Sequence, residues 1–518
     1  MIHEHEMERD VKTMSKSMLI VMVFTMVSKI TGYLREILLA SQYGRTMYAD
    51  AYTYAQDLPC IVLSVIVAAV SATLIPVFSS RLKEGQEKAN RFICNLLTIG
   101  TLLSVAVVLL TLLFLDEFAT LYIPDAEEEV RALVIRLARI MMPMGLFVFL
   151  ARISSAYLQA NFRFTVPALS ACCLNFVVIA AIVVSRGENI TYVALGTLLG
   201  WMLQFAVQIP SMRRTNLHYR PVLDFREPGL REVLVLMLPV LVSSAFDQVY
   251  LFFDRSIVSG VVGEVTALSY GNRISTMVSS VLLTTIATIL YPNLVKHVDE
   301  PNKLRDDLSF GVNLNLLIAI PAMVALVMLC QPITQLVYQR GKFGAEDTLV
   351  TAGTLACYSC GILGVGLREL CNRCLYAFKD TKVPTIVGVI AVLMNIVLNY
   401  ALYPLLGVSG VSLATAISSL TSGSILLVIL HRRRKVVDGP RVLRCLWKTL
   451  AGSAVMALVL FALSQALGIA GQEGGRFYLS MAILFVSGVG AYVAVLALLK
   501  TEELRMALRM VTSRFRRR

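Results

Sequence analysis

Lys29, Arg35 and Glu36 lie within SKITGYLRE (Ser28–Glu36), a stretch with apolar sequence on both sides. Charges at membrane depth are expensive. They normally face a protein-lined or watery cavity and mark a functional site. Lys29 and Glu36 are seven residues apart, nearly on one helical face, and Arg35 is displaced by one residue. Asp50 and Asp57 open the next apolar segment, and Arg152, the Asp254–Arg255 pair, Arg273, and Arg368, Glu369 and Arg373 interrupt later ones. The set is cationic and rich in arginine. It predicts a cavity for an anionic substrate, because the planar guanidinium fork holds a diphosphate through paired, charge-assisted hydrogen bonds. The same residues could instead pair within the bundle, Arg35 with Glu36 or Asp50, and Asp254 with Arg273. Arg152, Asp57 and Arg373 could reach an interface along their stems.

Other chemistry finds little support. Cys357, Cys360, Cys371 and Cys374 form a CxxC…CxxC array. All four fall in one apolar helical segment, and a continuous helix cannot wrap four thiolates around one metal. They read as core cysteines, and no metal site is expected. Most of the ten cysteines lie in apolar runs, where the thiol behaves as a small hydrophobe. No GxxxxGK(S/T) phosphate loop, HExxH or GxSxG is present. No catalytic residue and no cofactor are assigned, and the chain is not read as an enzyme.

The elements that must position these charges are legible from hydropathy. Hydrophobic residues make up 57% of the 518, charged residues 16%, and the mean hydropathy is +0.72. A soluble chain of this length needs far more polar surface. Apolar stretches of about 20 residues, enough to cross a bilayer core of roughly 30 Å, recur from end to end. The fold class is an all-α polytopic membrane protein with about 14 spanning segments. They fall near 17–43, 50–79, 92–115, 131–158, 165–185, 189–210, 231–260, 264–295, 308–330, 347–377, 383–405, 409–431, 443–468 and 477–500. No small-residue cleavage site follows the polar N-terminus, so the first segment reads as retained.

Alternate loops are basic. One carries Arg81, Lys83, Lys88 and Arg91, and another Arg432, Arg433, Arg434 and Lys435. The 116–130 loop is acidic instead. About 31 Lys and Arg fall on one side against about 5 on the other, which places both termini in the cytoplasm. The net charge of +13 is accounted for by these loops and the SRFRRR tail, so the partners are membrane lipids and not nucleic acid.

A repeat runs through the chain. Pro76 in TLIP matches Pro292 in TILYP, an offset of 216. Pro167 in YLQANFRFTVP matches Pro384 in YAFKDTKVP, an offset of 217, and Gly44 matches Gly263 at 219. The offset spans an even number of segments, so the halves share orientation, a known transporter architecture with substrate between them. The expected organisation is a cytoplasmic segment 1–16, an N-terminal lobe 17–215, a C-terminal lobe 231–431, two further helices in 443–500 and a basic tail 501–518. Each lobe holds about six helices.

SKITGYLREILLASQYGRTMYADAYTYAQDLP resembles the opening of the MurJ family, the lipid II flippases of the multidrug/oligosaccharidyl-lipid/polysaccharide exporter superfamily. The pattern there is S-R-x-x-G-x-x-R-D/E, a G…xDA turn and LP. LQANFRFTVPAL with Asn175, SYGNRI, TILYPNL, LVYQRGKF and LYAFKDTKVP resemble further family segments in order, from residue 28 to about 395. The resemblance implies two lobes around a cationic cavity. It implies outward movement of an undecaprenyl-diphosphate-linked peptidoglycan precursor by alternating access in the cell membrane. By position, Lys29, Arg35, Glu36, Asp50 and Arg273 match cavity charges, with Arg35 and Arg273 clamping the diphosphate. Asp254, Arg255, Arg152 and Arg368 are weaker candidates. A monomer, a coupling ion or membrane potential, and cell-wall synthesis proteins as partners complete the expectation. The chain also departs from the pattern. Lys29 replaces an arginine, Leu63 and Ser64 stand where an arginine pair is common, and STMVSSV (Ser275–Val281) lacks an LPxG. A flippase for another polyprenyl-diphosphate glycan therefore stays open, ahead of a cation-coupled multidrug exporter or a non-transporting scaffold.

Overall fold

Long apolar runs with few backbone breakers dictate helices, because helices satisfy their own backbone hydrogen bonds in lipid. A computed structural model describes residues 2–215, 217–469, 472 and 474–501. Side chains are described from residue 23, apart from 62, 72, 239, 242, 243, 247 and 284. The basic tail beyond 501 lies outside the described residues, as do the side chains of 1–16. Helices, turns and no strand make up the described residues.

The chain forms two compact units. The first runs to Thr266 and also takes in Arg340–Phe343. It holds α1 (Ile2–Tyr43), α2 (Met47–Glu84), α3 (Gln86–Leu113), α4 (Leu115–Tyr122), α5 (Glu128–Met141) and α6 (Met144–Ala160). Then come α7 (Thr165–Ser185), α8 (Ile190–Ala206), α9 (Ile209–Arg213), α10 (Pro228–Ile257) and the start of α11 (Glu264–Lys296). The second unit holds the rest of α11, α12 (Pro301–Met328), α13 (Cys330–Tyr338), α14 (Ala345–Ser359) and α15 (Ile362–Ala377). It ends with α16 (Lys382–Leu406), α17 (Val408–Ile429), α18 (Gly439–Leu467) and α19 (Gly474–Leu498).

Each of the expected spanning segments overlaps a helix or a pair of helices. Among the described residues, 11 helices are long and apolar enough to span, or 12 if α5 and α6 are one span. The segments on α1 and α10 stand outside that count. The 131–158 segment is not straight. It bends by 45° between α5 and α6. Pro143 sits at the break, where its ring and missing N–H interrupt the helical ladder. The acidic 116–130 loop contains the short helix α4. The 347–377 segment also breaks, with Cys360 capping α14 and Gly361 leading into α15. Cys357 and the pair Cys371 and Cys374 therefore sit on different helices, contrary to the expectation of one continuous helix, and all are free thiols. Gly361 lies against α17, where the packing requires it.

In the first unit α2 is the central element, packed against α3, α5, α6 and α10, while α1 lies along α7. Its core joins Phe78, Phe92, Phe149 and Tyr157 from α2, α3 and α6. α10 lies against α2 in the first unit. The loop before α10 is ordered by α3. Asn95 donates to the Asp224 carbonyl at 2.7 Å and accepts from the Asp224 N–H at 2.9 Å. The RGKF loop packs on the end of α1. The Lys342 N–H donates to the Ser41 carbonyl at 2.7 Å, and its ammonium donates to the Gly187 carbonyl at 2.8 Å.

The repeat-related segments share backbone geometry. Phe162 and Lys379 both adopt left-handed φ, 58° and 59°. The next residues close the same helix-ending turn, Arg163 N–H to the Leu158 carbonyl at 2.8 Å and Asp380 N–H to the Leu375 carbonyl at 2.9 Å. Gly44 and Gly263 also have positive φ, 60° and 89°.

In the second unit α15 and α17 approach backbone to backbone through small residues. A Cβ on Gly364 would lie 2.3 Å from the Leu420 nitrogen, and one on Gly423 would lie 2.6 Å from the Gly364 carbonyl oxygen. Gly364→Val is expected to destabilise the protein by at least about 3 kcal/mol through overpacking against backbone that cannot yield. Gly490→Val should be well tolerated, since nothing lies within 4 Å of its Cβ position. Size-exclusion profiles and melting curves of the detergent-purified variants check this. A folded Gly364→Val with a parental melting curve would contradict it.

Candidate functional site

Arg35 and Glu36 are adjacent on α1, so their Cα–Cβ bonds point about 100° apart. The arginine stem nevertheless folds across. Its Nη2 reaches Glu36 Oε1 at 2.6 Å and its Nε reaches the same oxygen at 3.2 Å. The pair is largely withdrawn from the surface, with 14% and 6% of the two side chains accessible. A third contact comes from α7, where Asn175 Oδ1 accepts from Arg35 Nη1 at 3.4 Å. Asn175 is fixed in turn by donating to the Ser28 carbonyl at 3.0 Å and to Thr31 Oγ1 at 3.2 Å. The Asn175 amide packs against Gly32, 3.6 Å from where a Cβ would be, ordinary van der Waals contact.

Arg35 is thus held by an acid and an amide. Of its five N–H groups, two remain beyond these contacts among the described residues. A charge-assisted donor pair, positioned in advance, is what an anionic group can use. Lys29, one to two turns earlier on α1, is exposed and has no ion-pair partner among the described residues. It offers a compact, mobile charge where arginine would give a planar fork. Asn175 is the residue that sequence reasoning missed as a positioning group. An amide inside the apolar run of α7 was the available signal.

Asp50 sits differently from an open cavity charge. It is 2% exposed, and its carboxylate accepts from the backbone N–H of Gly263, the N–H of Thr266 at 3.1 Å and the Thr266 hydroxyl. It caps the first turn of α11, where backbone donors lack helical partners. Arg45 reinforces the same turn by donating to the Gly263 carbonyl at 3.1 Å.

The Asp254–Arg255 pair is buried on α10. Arg255 pairs with Asp57 at 3.2 Å and donates to the Val265 carbonyl at 3.0 Å. Its own carbonyl accepts from the Tyr54 hydroxyl at 3.1 Å. Asp57 therefore pairs with a neighbouring helix instead of extending to an interface. Arg373 likewise pairs within its helix, with Glu369 at 2.8 Å, and lies over the Tyr291 ring. Arg152 is exposed on α6, and in the second unit Arg273 on α11 and Arg368 on α15 are half-buried.

Leu63, where an arginine was looked for, is 2% exposed and packs with Val108 and Met142. Its methyl group would lie 2.4 Å from a Cβ on Gly145. This position is apolar core, with no room for a guanidinium.

A family model described as lipid II flippase MurJ matches residues 39–485. The lipid II flippase MurJ of Burkholderia cenocepacia is 26% identical over 85% of this chain and 88% of its own length. The probable lipid II flippase MurJ of Vibrio cholerae is 26% identical over 94% of this chain and 96% of its own. A solved structure described as lipid II flippase MurJ in an inward closed conformation has a TM-score of 0.80 at 24% identity, covering 93% of this chain and 99% of that one. An inward-facing multidrug resistance MATE transporter of the MOP superfamily shares the fold at a TM-score of 0.67 and 13% identity, over 81% of this chain and 98% of that one.

The Asp50 cap carries its own test. Asp50→Ala leaves buried donors without an acceptor, at a cost on the order of 3 kcal/mol. A melting temperature several degrees below the parent is expected, with Asp50→Asn between the two. An unshifted melting curve for Asp50→Ala would remove the capping role.

Proposed function

The chain belongs to the lipid II flippase MurJ family, and from that membership we propose that it moves the lipid-linked peptidoglycan precursor from the cytoplasmic to the outer leaflet by alternating access. The activity serves cell-wall synthesis. The observation that carries the reading to particular residues is the Arg35–Glu36–Asn175 arrangement, which holds a guanidinium in place with N–H groups to spare. A diphosphate is a doubly acceptor-rich anion that a guanidinium binds through two parallel hydrogen bonds. Glu36 and Asn175 fix the fork before the substrate arrives, so less freedom is lost on binding. Lys29 adds a second positive charge on the same helix. Arg273 in the second unit is proposed to bind an anionic group of the substrate, with Arg368 there and Arg152 in the first unit as weaker contributors. Asp50, Asp254 and Arg255 are proposed to act by holding the helices that carry these charges.

Head-group contacts favour one conformation over the other and so shift the equilibrium between inward and outward states. A gradient, the membrane potential or consumption of the product resets it. The chain is proposed to work as a monomer in the cell membrane with both termini cytoplasmic, beside cell-wall synthesis proteins. The basic alternate loops support that orientation.

A second reading, a flippase for another polyprenyl-diphosphate-linked glycan, is favoured by one observation. Leu63 is buried in apolar core where the family pattern commonly has an arginine.

Cells depleted of their own lipid II flippase separate these readings. The parent chain is expected to restore growth and outward lipid II exposure. Arg35→Ala and Arg273→Ala should lower lipid II exposure at least tenfold at equal membrane abundance, since each loses charge-assisted hydrogen bonds of about 1.5–3 kcal/mol. Rescue by both variants would remove the charge argument. Failure of a well-expressed parent would favour the second reading.

A further inference from the structure

The second unit contains a small cavity, with one hydroxyl-rich wall, that the charges do not explain. Its volume is about 160 Å3, and it is bounded by α11, α14, α15 and α17. Asn272, Ser275, Thr276, Ser279 and Ser280 form its α11 wall. Their spacing puts them on one helical face, one turn apart. Ser275, Thr276, Ser279 and Ser280 belong to the STMVSSV segment, where the family pattern has LPxG. This chain carries four hydroxyl residues in a segment that lacks that proline and glycine.

Three of the hydroxyl protons on this wall are already committed. Ser279 donates to the Ser275 carbonyl at 2.9 Å, and Ser280 donates to the Met277 carbonyl at 3.1 Å. Thr276 donates to Asn272 Oδ1 at 2.9 Å. A hydroxyl carries one proton and two lone pairs, so each of these oxygens still has an acceptor to offer the cavity. The Asn272 amide nitrogen adds donors. A wall of this kind recognises a ligand that brings its own O–H or N–H groups. The lining contains no acidic residue. A cation would lack the carboxylates that normally hold one, and Arg273 stands next to Asn272 in sequence. The fitting ligand is neutral, donor-rich and compact. The volume suits several waters or one side of a sugar ring.

We infer that this cavity seats an uncharged glycosyl unit of the head group, beside the diphosphate that Arg273 is proposed to bind. The inference rests on the reading of the substrate as a lipid-linked saccharide. It makes Thr276 and Ser279 specificity-determining residues of this chain.

The test uses the full-length protein in lipid nanodiscs and two probes, lipid II and undecaprenyl diphosphate, which lacks the sugars. Thr276→Val keeps the side-chain shape without the hydroxyl, and Ser279→Ala removes the second. The double variant is expected to bind lipid II roughly tenfold more weakly, the effect of two lost neutral hydrogen bonds. Its affinity for undecaprenyl diphosphate should match the parent's. Thr276→Ser, which retains the hydroxyl, should bind lipid II as the parent does. Unchanged lipid II binding by the double variant overturns the inference, and so does equal weakening toward both probes. A parent that binds lipid II no better than undecaprenyl diphosphate overturns it as well. A parent that binds neither probe above a phosphatidylglycerol control overturns the substrate reading beneath it, and the inference falls with it.

Discussion

The carboxylate of Asp50 holds the turn between α10 and α11 against the start of α2. Helix starts leave backbone donors unpaired, and inside a buried bundle no water is at hand to satisfy them. Asp50 supplies acceptors to two N–H groups and a hydroxyl, and Arg45 takes the Gly263 carbonyl of the same turn. Gly263, at φ 89°, lets the backbone come close, since a Cβ there would sit 2.9 Å from the Arg45 carbonyl oxygen. With that turn secured, α10 lies along α2, and Arg255 can pair with Asp57. The first unit therefore takes in α10 and the start of α11.

The same economy governs the other intramembrane charges. An unpaired buried charge costs several kcal/mol, so most acquire partners. Arg255 and Arg373 spend their charge on neighbouring acids and ring faces. Arg35 also has an acid beside it, but Glu36 and Asn175 together leave part of its fork unused. Lys29 is exposed and makes no ion pair among the described residues. Those two on α1 are the charges proposed to meet the anionic group of the substrate. In the second unit, neutral hydroxyls near Arg273 take up a complementary task, recognition without charge.

Much of the architecture is legible in the sequence. The helical class followed from hydropathy. The repeat was visible as matched prolines and glycines, and the equal φ at Phe162 and Lys379 shows the same local turn chemistry in both copies. The breaks at Pro143 and at Cys360–Gly361 do not show in hydropathy, although a proline and a glycine mark them. Hydropathy averages over some 20 residues and passes over a single interrupted turn. Lys29, Arg35 and Glu36 stood out for the same reason the helices did, as charges against an apolar background.

The partners of those charges were not readable. Asn175 lies 140 residues from Arg35, and Gly263 lies 213 from Asp50. By itself the sequence determined the helices, the repeat, the family resemblance and which residues carry charge in apolar surroundings, because each is a local property of the chain. Only the tertiary structure decided that Asp50 caps a helix, that Leu63 is core and that the STMVSSV hydroxyls line a cavity. Those outcomes depend on which helix faces which, a matter of packing between distant segments that no spacing along one segment encodes.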